Sequence, residues 1–119
     1  MREIKFRAWD DENKKYLYVG EFIIFYEEDN GFHSGMTNKN GDWKSFTIEQ
    51  YTGLKDSTGK EIYEGDKYKT FIAIVKNGKQ SRKYIEKIIS SDNYYYDCTI
   101  LNNIIEYGLP VTITGNIHE

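Results

Sequence analysis

Catalysis needs groups that exchange protons or attack a substrate, and outside its carboxylates this chain offers only His33, His118 and Cys98. None stands in a nucleophile or metal-ligand spacing. His33 follows Phe32 in a weakly patterned stretch and His118 adjoins the last residue, so both read as surface residues without a catalytic role. Cys98, at the end of a tyrosine-rich run, reads as a small buried apolar residue. Asp10-Asp11-Glu12 and Glu27-Glu28-Asp29 are acidic enough to attract a cation, but they lack the glycine-centred ligand loop of a calcium hand and fall where turns are expected. Gly59-Lys60 lacks the upstream glycine and the following Ser or Thr of a phosphate loop. The expectation is a protein without catalytic residues, metal ligands or cofactor.

Binding chemistry is better represented. Tyr68, Phe71, Tyr84, Tyr94, Tyr95 and Tyr96 are interleaved with Lys67, Lys69, Lys76, Lys79, Arg82 and Lys83. Aromatic rings beside a positive groove are what single-stranded nucleic acid requires. A formal net charge of −3 opposes that reading, since phosphate tracking normally rests on a basic surface. The charge is unevenly spread: the chain is net acidic up to Asp66 and net basic from Lys67 on, with Glu86 alone opposing the basic run. Such runs are commonly solvated strand surfaces. Tyrosine also gives large, rigid contact area with a polar tip, which suits protein interfaces. Tyr84, Tyr94, Tyr95 and Tyr96 are therefore the candidate protein-contact residues. Three tyrosines in succession on a strand would point to both faces, so at least one must leave the core.

The elements that must position these residues are mainly strands. Eleven tyrosines and six phenylalanines with one proline favour β structure, and Ala8 and Ala73 are too few alanines for a helical bundle. Ile4, Phe6 and Ala8 alternate with Lys5, Arg7 and Trp9 as a strand with one buried face, and Asp10 to Asn13 follows as a turn. Tyr16 to Val19 and Glu21 to Tyr26 read as strands with Gly20 as a possible bulge, the second of them buried on both sides. Glu27 to Gly31 closes the segment as an acidic turn. Phe32 to Asn40 reads as a loop or irregular strand, Asn40-Gly41 as a turn, and Trp43, Phe46, Ile48 and Tyr51 as the apolar positions of the next strand. Tyr68 to Val75 followed by Asn77-Gly78 is the clearest hairpin signal, because both central residues of a type I′ turn need positive φ. The second arm is open: Tyr84, Ile85, Ile88 and Ile89 share one face of a short helix near 81–90, or form a poorly alternating strand. Tyr94 to Ile100 looks extended and Asn102-Asn103 breaks it. Ile104 to Tyr107 is a short apolar segment, Gly108-Leu109-Pro110 a turn, and Val111 to Thr114 a last strand. At 119 residues, with no repeat or linker, the expectation is a single domain spanning 1–119 around one modest core. A single cysteine excludes an intrachain disulfide, and no apolar stretch suits a signal peptide or membrane span. The expected setting is the cytoplasm.

The most distinctive run is Gln50-Tyr51-Thr52-Gly53-Leu54-Lys55-Asp56-Ser57-Thr58-Gly59-Lys60-Glu61-Ile62-Tyr63-Glu64-Gly65-Asp66. Asp56 and Ser57 can hydrogen-bond their own backbone while Gly59 takes positive φ, and Glu64-Gly65-Asp66 repeats that turn chemistry. With Arg7-Ala8-Trp9-Asp10 ending the first strand and Gly115-Asn116-Ile117 near the close, this run resembles the YopX family of phage and prophage proteins. The resemblance implies an all-β domain with SH3-like barrel character and an additional N-terminal sheet region, in which Glu-Gly-Asp leads into the first long strand of the barrel. It also implies a phage or prophage product, at work in the cytoplasm of a bacterial host, that can oligomerise; it implies no molecular activity. This chain departs from the family pattern at Lys67, where an apolar residue is usual, and from Gln80 to Tyr107. The reading with most support is a non-enzymatic protein-binding accessory protein, homo-oligomeric, engaging or inhibiting a host or defence protein, or both. The alternative is a nucleic-acid module using the Lys67 to Lys87 surface.

Overall fold

Rich in aromatic and β-branched side chains, the chain folds mainly into strands, with one helix among the described residues. The computed structural model describes residues 4–18, 20–27, 31–37 and 43–119. Among these, the strands are β1 (Phe6–Asp10), β2 (Lys15–Leu17), β3 (Ile23–Glu27), β4 (Gly31–Thr37), β5 (Trp43–Ser45), β6 (Thr47–Lys55), β7 (Glu61–Tyr63), β8 (Asp66–Lys76), β9 (Lys79–Ile88) and β10 (Thr112–Asn116). The helix α1 (Tyr94–Glu106) lies between β9 and β10. The strands form three sheets with orders β2-β1-β6-β7, β10-β8-β9 and β3-β4-β5. These pairings are consistent with SH3-like barrel character. By contacts the chain divides into two compact units, Met1–Tyr51 and Thr52–Glu119.

In the first unit, β1 and β2 pair around the Asp10 turn, placing Ala8 opposite Leu17. Ala8, Leu17 and Phe46 form its buried cluster, flanked by Phe22 and Ile48. The alternation read for β1 is broken on the other face, where Arg7 is buried opposite Glu49 of β6. The Arg7 Nε donates to Glu49 Oε1 at 2.8 Å and Nη2 donates to the Tyr16 hydroxyl at 3.1 Å. The guanidinium also lies 3.8 Å from the Tyr16 ring centre. Either ion buried alone would cost several kcal/mol, so this pair holds β1 and β6 to one register. The Phe32 to Asn40 segment contains a regular strand, β4, because β3 and β5 pair along its two sides. Gly20, at φ 95°, lies in a turn between β2 and β3, where the sequence suggested a bulge. Of the acidic turn read at 27–31, Glu27 ends β3 and Gly31 begins β4, while 28–30 and the turn read at Asn40-Gly41 fall outside the described residues.

The second unit follows the sequence closely at first. The Asp56 Oδ1 accepts the Thr58 N–H at 2.9 Å, the Thr58 hydroxyl at 2.6 Å and the Lys60 N–H at 2.9 Å, and Oδ2 accepts the Ile113 N–H at 3.2 Å. One side chain thereby closes the turn and ties it to β10. Ile62, Tyr68, Ile89, Tyr94, Cys98, Leu101, Ile104 and Val111 make the buried cluster. β8 and β9 pair antiparallel from Lys67 opposite Ile88 out to Lys76 opposite Lys79. Asn77 and Gly78 between them have φ of 53° and 75°, the condition a type I′ turn demands.

Two expectations are corrected here. The possible helix near 81–90 is strand β9: the Asn77-Gly78 turn hands each residue a partner on β8, and a full ladder of hydrogen bonds outweighs a short helical-looking spacing. The segment from Tyr94, read as extended and broken at Asn102-Asn103, is α1. Its buried residues Tyr94, Cys98, Leu101 and Ile104 recur every three or four positions, so burial of that stripe overrides the strand preference of three tyrosines. The helix ends in a Schellman arrangement: the Gly108 N–H donates to the Ile105 carbonyl at 2.9 Å and the Leu109 N–H to the Ile104 carbonyl at 3.2 Å. Gly108, at φ 77°, supplies the left-handed residue this closure requires.

Candidate functional site

β10 pairs with β8 only from Asp66 to Lys69, whereas β9 continues to Lys76. The remainder of the hairpin is a two-stranded ribbon. Thr70 is buried and Ile85 half-buried at its root, and from Phe71 to Tyr84 no residue is fully buried. This arm carries most of the basic residues singled out in the sequence. Opposed residues of an antiparallel pair share a face, so the pairing sorts them. Lys69, Phe71, Tyr84 and Arg82 lie on one face; Ile72, Lys76, Lys79 and Lys83 lie on the other.

The first face is a stack. The Phe71 and Tyr84 rings meet edge to face at 5.7 Å. The Lys69 ammonium lies 4.3 Å from the centre of the Tyr84 ring and the Arg82 guanidinium 4.8 Å from that of Phe71. Cation and ring attract through the ring quadrupole, so the row is pre-organised although Tyr84 is 63% exposed. Val75 at the tip is 72% exposed. Lys67, at the base beside β10, is half-buried.

The candidate tyrosines divide between two elements. Tyr84 stands on the arm. Tyr94 is buried in the core and packs its ring 5.4 Å from that of Tyr95. Tyr95 and Tyr96 are 78% and 68% exposed on α1, because consecutive residues of a helix diverge by about 100°. The inference that some of these tyrosines must leave the core holds, through a helix in place of a strand. Sequence reasoning missed Phe71 as the partner of Tyr84 and Tyr107 as a third exposed tyrosine at the end of the helix. The first was recoverable by counting outward from Asn77-Gly78, and the second from the spacing of the buried positions of α1.

Two hollows accompany these surfaces. One, of about 310 Å³, is lined by Tyr68, Lys87, Ile88, Ser90, Asn93, Asp97 and Ile100. Ser90 donates to Asp97 Oδ2 through both its N–H and its hydroxyl at 2.9 Å, so the carboxylate anchors the loop entering α1. Burial, aided by Asp97 and Cys98, pushes the Tyr68 phenol up to about 12, which keeps it protonated. No imidazole lines this hollow. The other, of about 340 Å³, lies between the Asp56 turn and the end of α1, against Leu109 and Pro110.

The remaining sequence candidates have structural partners. Asp10 accepts hydrogen bonds from Asn13, and the Lys44 ammonium bridges Asp10 and Glu12 at 3.1 and 2.9 Å. Lys14 pairs with Asp11 at 2.8 Å. A lysine thus occupies the middle of the first acidic cluster; the second falls outside the described side chains. Among the described residues no group of His, Cys, Asp and Glu is placed to hold a metal. Cys98 is buried on α1, at a different element from the one expected. The His33 side chain lies outside the described residues. The His118 N–H donates to the Asn116 side chain at 2.9 Å.

A crystal structure of protein EF1440 from Enterococcus faecalis matches this fold with a TM-score of 0.50 and 21% identity, over 100% of this chain and 96% of that one. Comparison with curated proteins gives no match. The family profile described as YopX protein matches residues 5–119, running through the Gln80 to Tyr107 segment that departs from the familiar motifs. The chain belongs to the YopX family.

Proposed function

We propose that this protein is a non-enzymatic binding module of a phage or prophage, acting in the host cytoplasm through protein contacts made by the β8–β9 arm and the outer face of α1. Its partner is a further copy of itself or a host or defence protein. The observation that carries this reading is the exposed row Lys69, Tyr84, Phe71 and Arg82 on a ribbon that no third strand covers among the described residues. An isolated two-stranded ribbon is marginal in water, and aromatic and arginine side chains in this state are the groups that anchor protein interfaces.

Nucleic acid is the second reading, favoured by the basic residues of the arm. Two features weigh against it. The cations are split between opposite faces of the ribbon, and the rings that could stack on bases already carry Lys69 and Arg82 against them. Among the described residues no helix is long and apolar enough to cross a membrane.

The test places a photo-crosslinking amino acid at Tyr84 or Val75, with the exposed Lys60 of the Asp56 turn as control, in cells producing the protein. Protein adducts specific to the arm positions support the reading. Nucleic-acid adducts, or a salt-dependent shift of labelled DNA or RNA abolished in a Lys79→Glu, Arg82→Glu, Lys83→Glu variant, would replace it with the second.

A further inference from the structure

Charge within the second unit is segregated. After Asp66 every basic residue lies between Lys67 and Lys87, with Glu86 as the one acid among them; beyond Lys87 there is no Lys or Arg, while Asp92, Asp97, Glu106 and Glu119 follow. The arm is therefore strongly basic and the α1 region purely acidic. Both carry exposed aromatic surface: Tyr84 on the arm, and Tyr95, Tyr96 and the 83% exposed Tyr107 on the helix. Asp92 and Glu106 are exposed at either end of that helical face.

We infer that the arm of one copy lies along the outer face of α1 in a second copy. The inference rests on the reading of the arm as a protein-binding element and names its partner. Length supports it: the six residues on each side of the turn, 71–76 and 79–84, none of them fully buried, span about 20 Å at the rise of a strand, and the thirteen residues of α1 also span about 20 Å at that of a helix. Contact within one chain is already committed elsewhere. At the root of the arm, Tyr68 and Ile89 share the buried cluster with Tyr94 and Leu101, so α1 shows its own arm its inner face, and the outer face is left for another molecule. Because each copy offers both a basic arm and an acidic helix, the contact joins two different surfaces and closes as a reciprocal pair or a ring.

Charge exchange tests this in the pure, full-length protein. One variant carries Lys76→Glu, Lys79→Glu, Arg82→Glu and Lys83→Glu, which makes the arm net acidic, and the other Asp92→Lys and Glu106→Lys, which makes the helix region net basic. Wild type is expected to sediment as an oligomer, and each variant alone to associate on the order of tenfold more weakly, since like charges then face each other. Mixing the two variants restores association, because every arm then meets a helix of opposite charge. Crosslinking from a photo-reactive residue at position 84, in a mixture of isotopically light and heavy protein otherwise wild type, adds a readout that does not rest on the charge variants: light–heavy products joining position 84 to residues 92–107 support the inference. A monomeric wild type, variants that associate as wild type does, a mixture that stays dissociated, or crosslinks landing elsewhere would overturn it. Arm-specific adducts with another protein in cells would still leave the binding-module reading standing, whereas loss of all protein adducts would remove both.

Discussion

At the scale of single residues, two buried ionic groups tie the elements of this structure together. Arg7 and Glu49 neutralise each other between β1 and β6. Asp56 binds four donors at the turn before β7. Burial pushes the Asp56 carboxyl up, but hydrogen bonds from Thr58, Ile113 and Lys60 outweigh it and hold the pKa below the ordinary carboxylate value. A folded pKa below the unfolded one means that the ionised carboxylate stabilises the fold. That contribution is complete above the unfolded value of about 3.9 and is lost as pH falls through the lower folded value. Asp56→Ala should cost about 3 kcal/mol at neutral pH, since it removes four hydrogen bonds to a buried charged group at once. Urea unfolding at a series of pH values should show the difference between wild type and variant shrinking below about pH 4. A difference that stays constant into acid would mean that the side chain acts by packing alone.

At the scale of elements, what was legible in the sequence was what glycine and Asx chemistry dictates locally. The Asp56 turn, the Glu64-Gly65 turn and the Asn77-Gly78 hairpin are short-range devices, and each stands where the residues place it. The helix was not legible because its evidence is long-range: Tyr94, Cys98, Leu101 and Ile104 become a stripe only when Ile62, Tyr68 and Val111 are there to receive it. Tyrosine's strand preference and the Asn pair masked that spacing. The candidate site suffered likewise. The tyrosine run was correctly marked as surface-bearing, but its division between α1 and an arm depended on knowing which segment was helix. The end of α1 provides a clean test of the element. A Cβ on Gly108 would meet nothing within 4 Å, so Gly108→Ala tests the φ of 77° alone. It should destabilise the protein by about 1–2 kcal/mol in urea unfolding. A neutral result would show that the helix can end without the left-handed residue.

At the scale of the whole molecule, two electrostatic effects act on self-association in opposite directions. The net charge of −3 repels one copy from another, and salt relieves that repulsion. The segregation of basic arm and acidic helix attracts, and salt weakens that attraction. Their ranges decide between them. Net-charge repulsion acts over tens of ångströms and is already largely screened at 0.1 M salt, where the Debye length is about 10 Å. Charges brought together in the proposed contact would lie a few ångströms apart, where each pair is worth about 1 kcal/mol even in water, and would be screened appreciably only as the Debye length approaches about 3 Å near 1 M. Raising salt from 0.1 M towards 1 M should therefore loosen the assembly, roughly tenfold or more if two or three pairs contribute at about 1 kcal/mol each. Sedimentation velocity across a salt series of the wild-type protein measures this directly. Association that strengthens with salt would instead place the contact on the apolar surface of Val75, Ile72 and the exposed tyrosines, because apolar burial is not screened and is favoured by salts excluded from the protein surface.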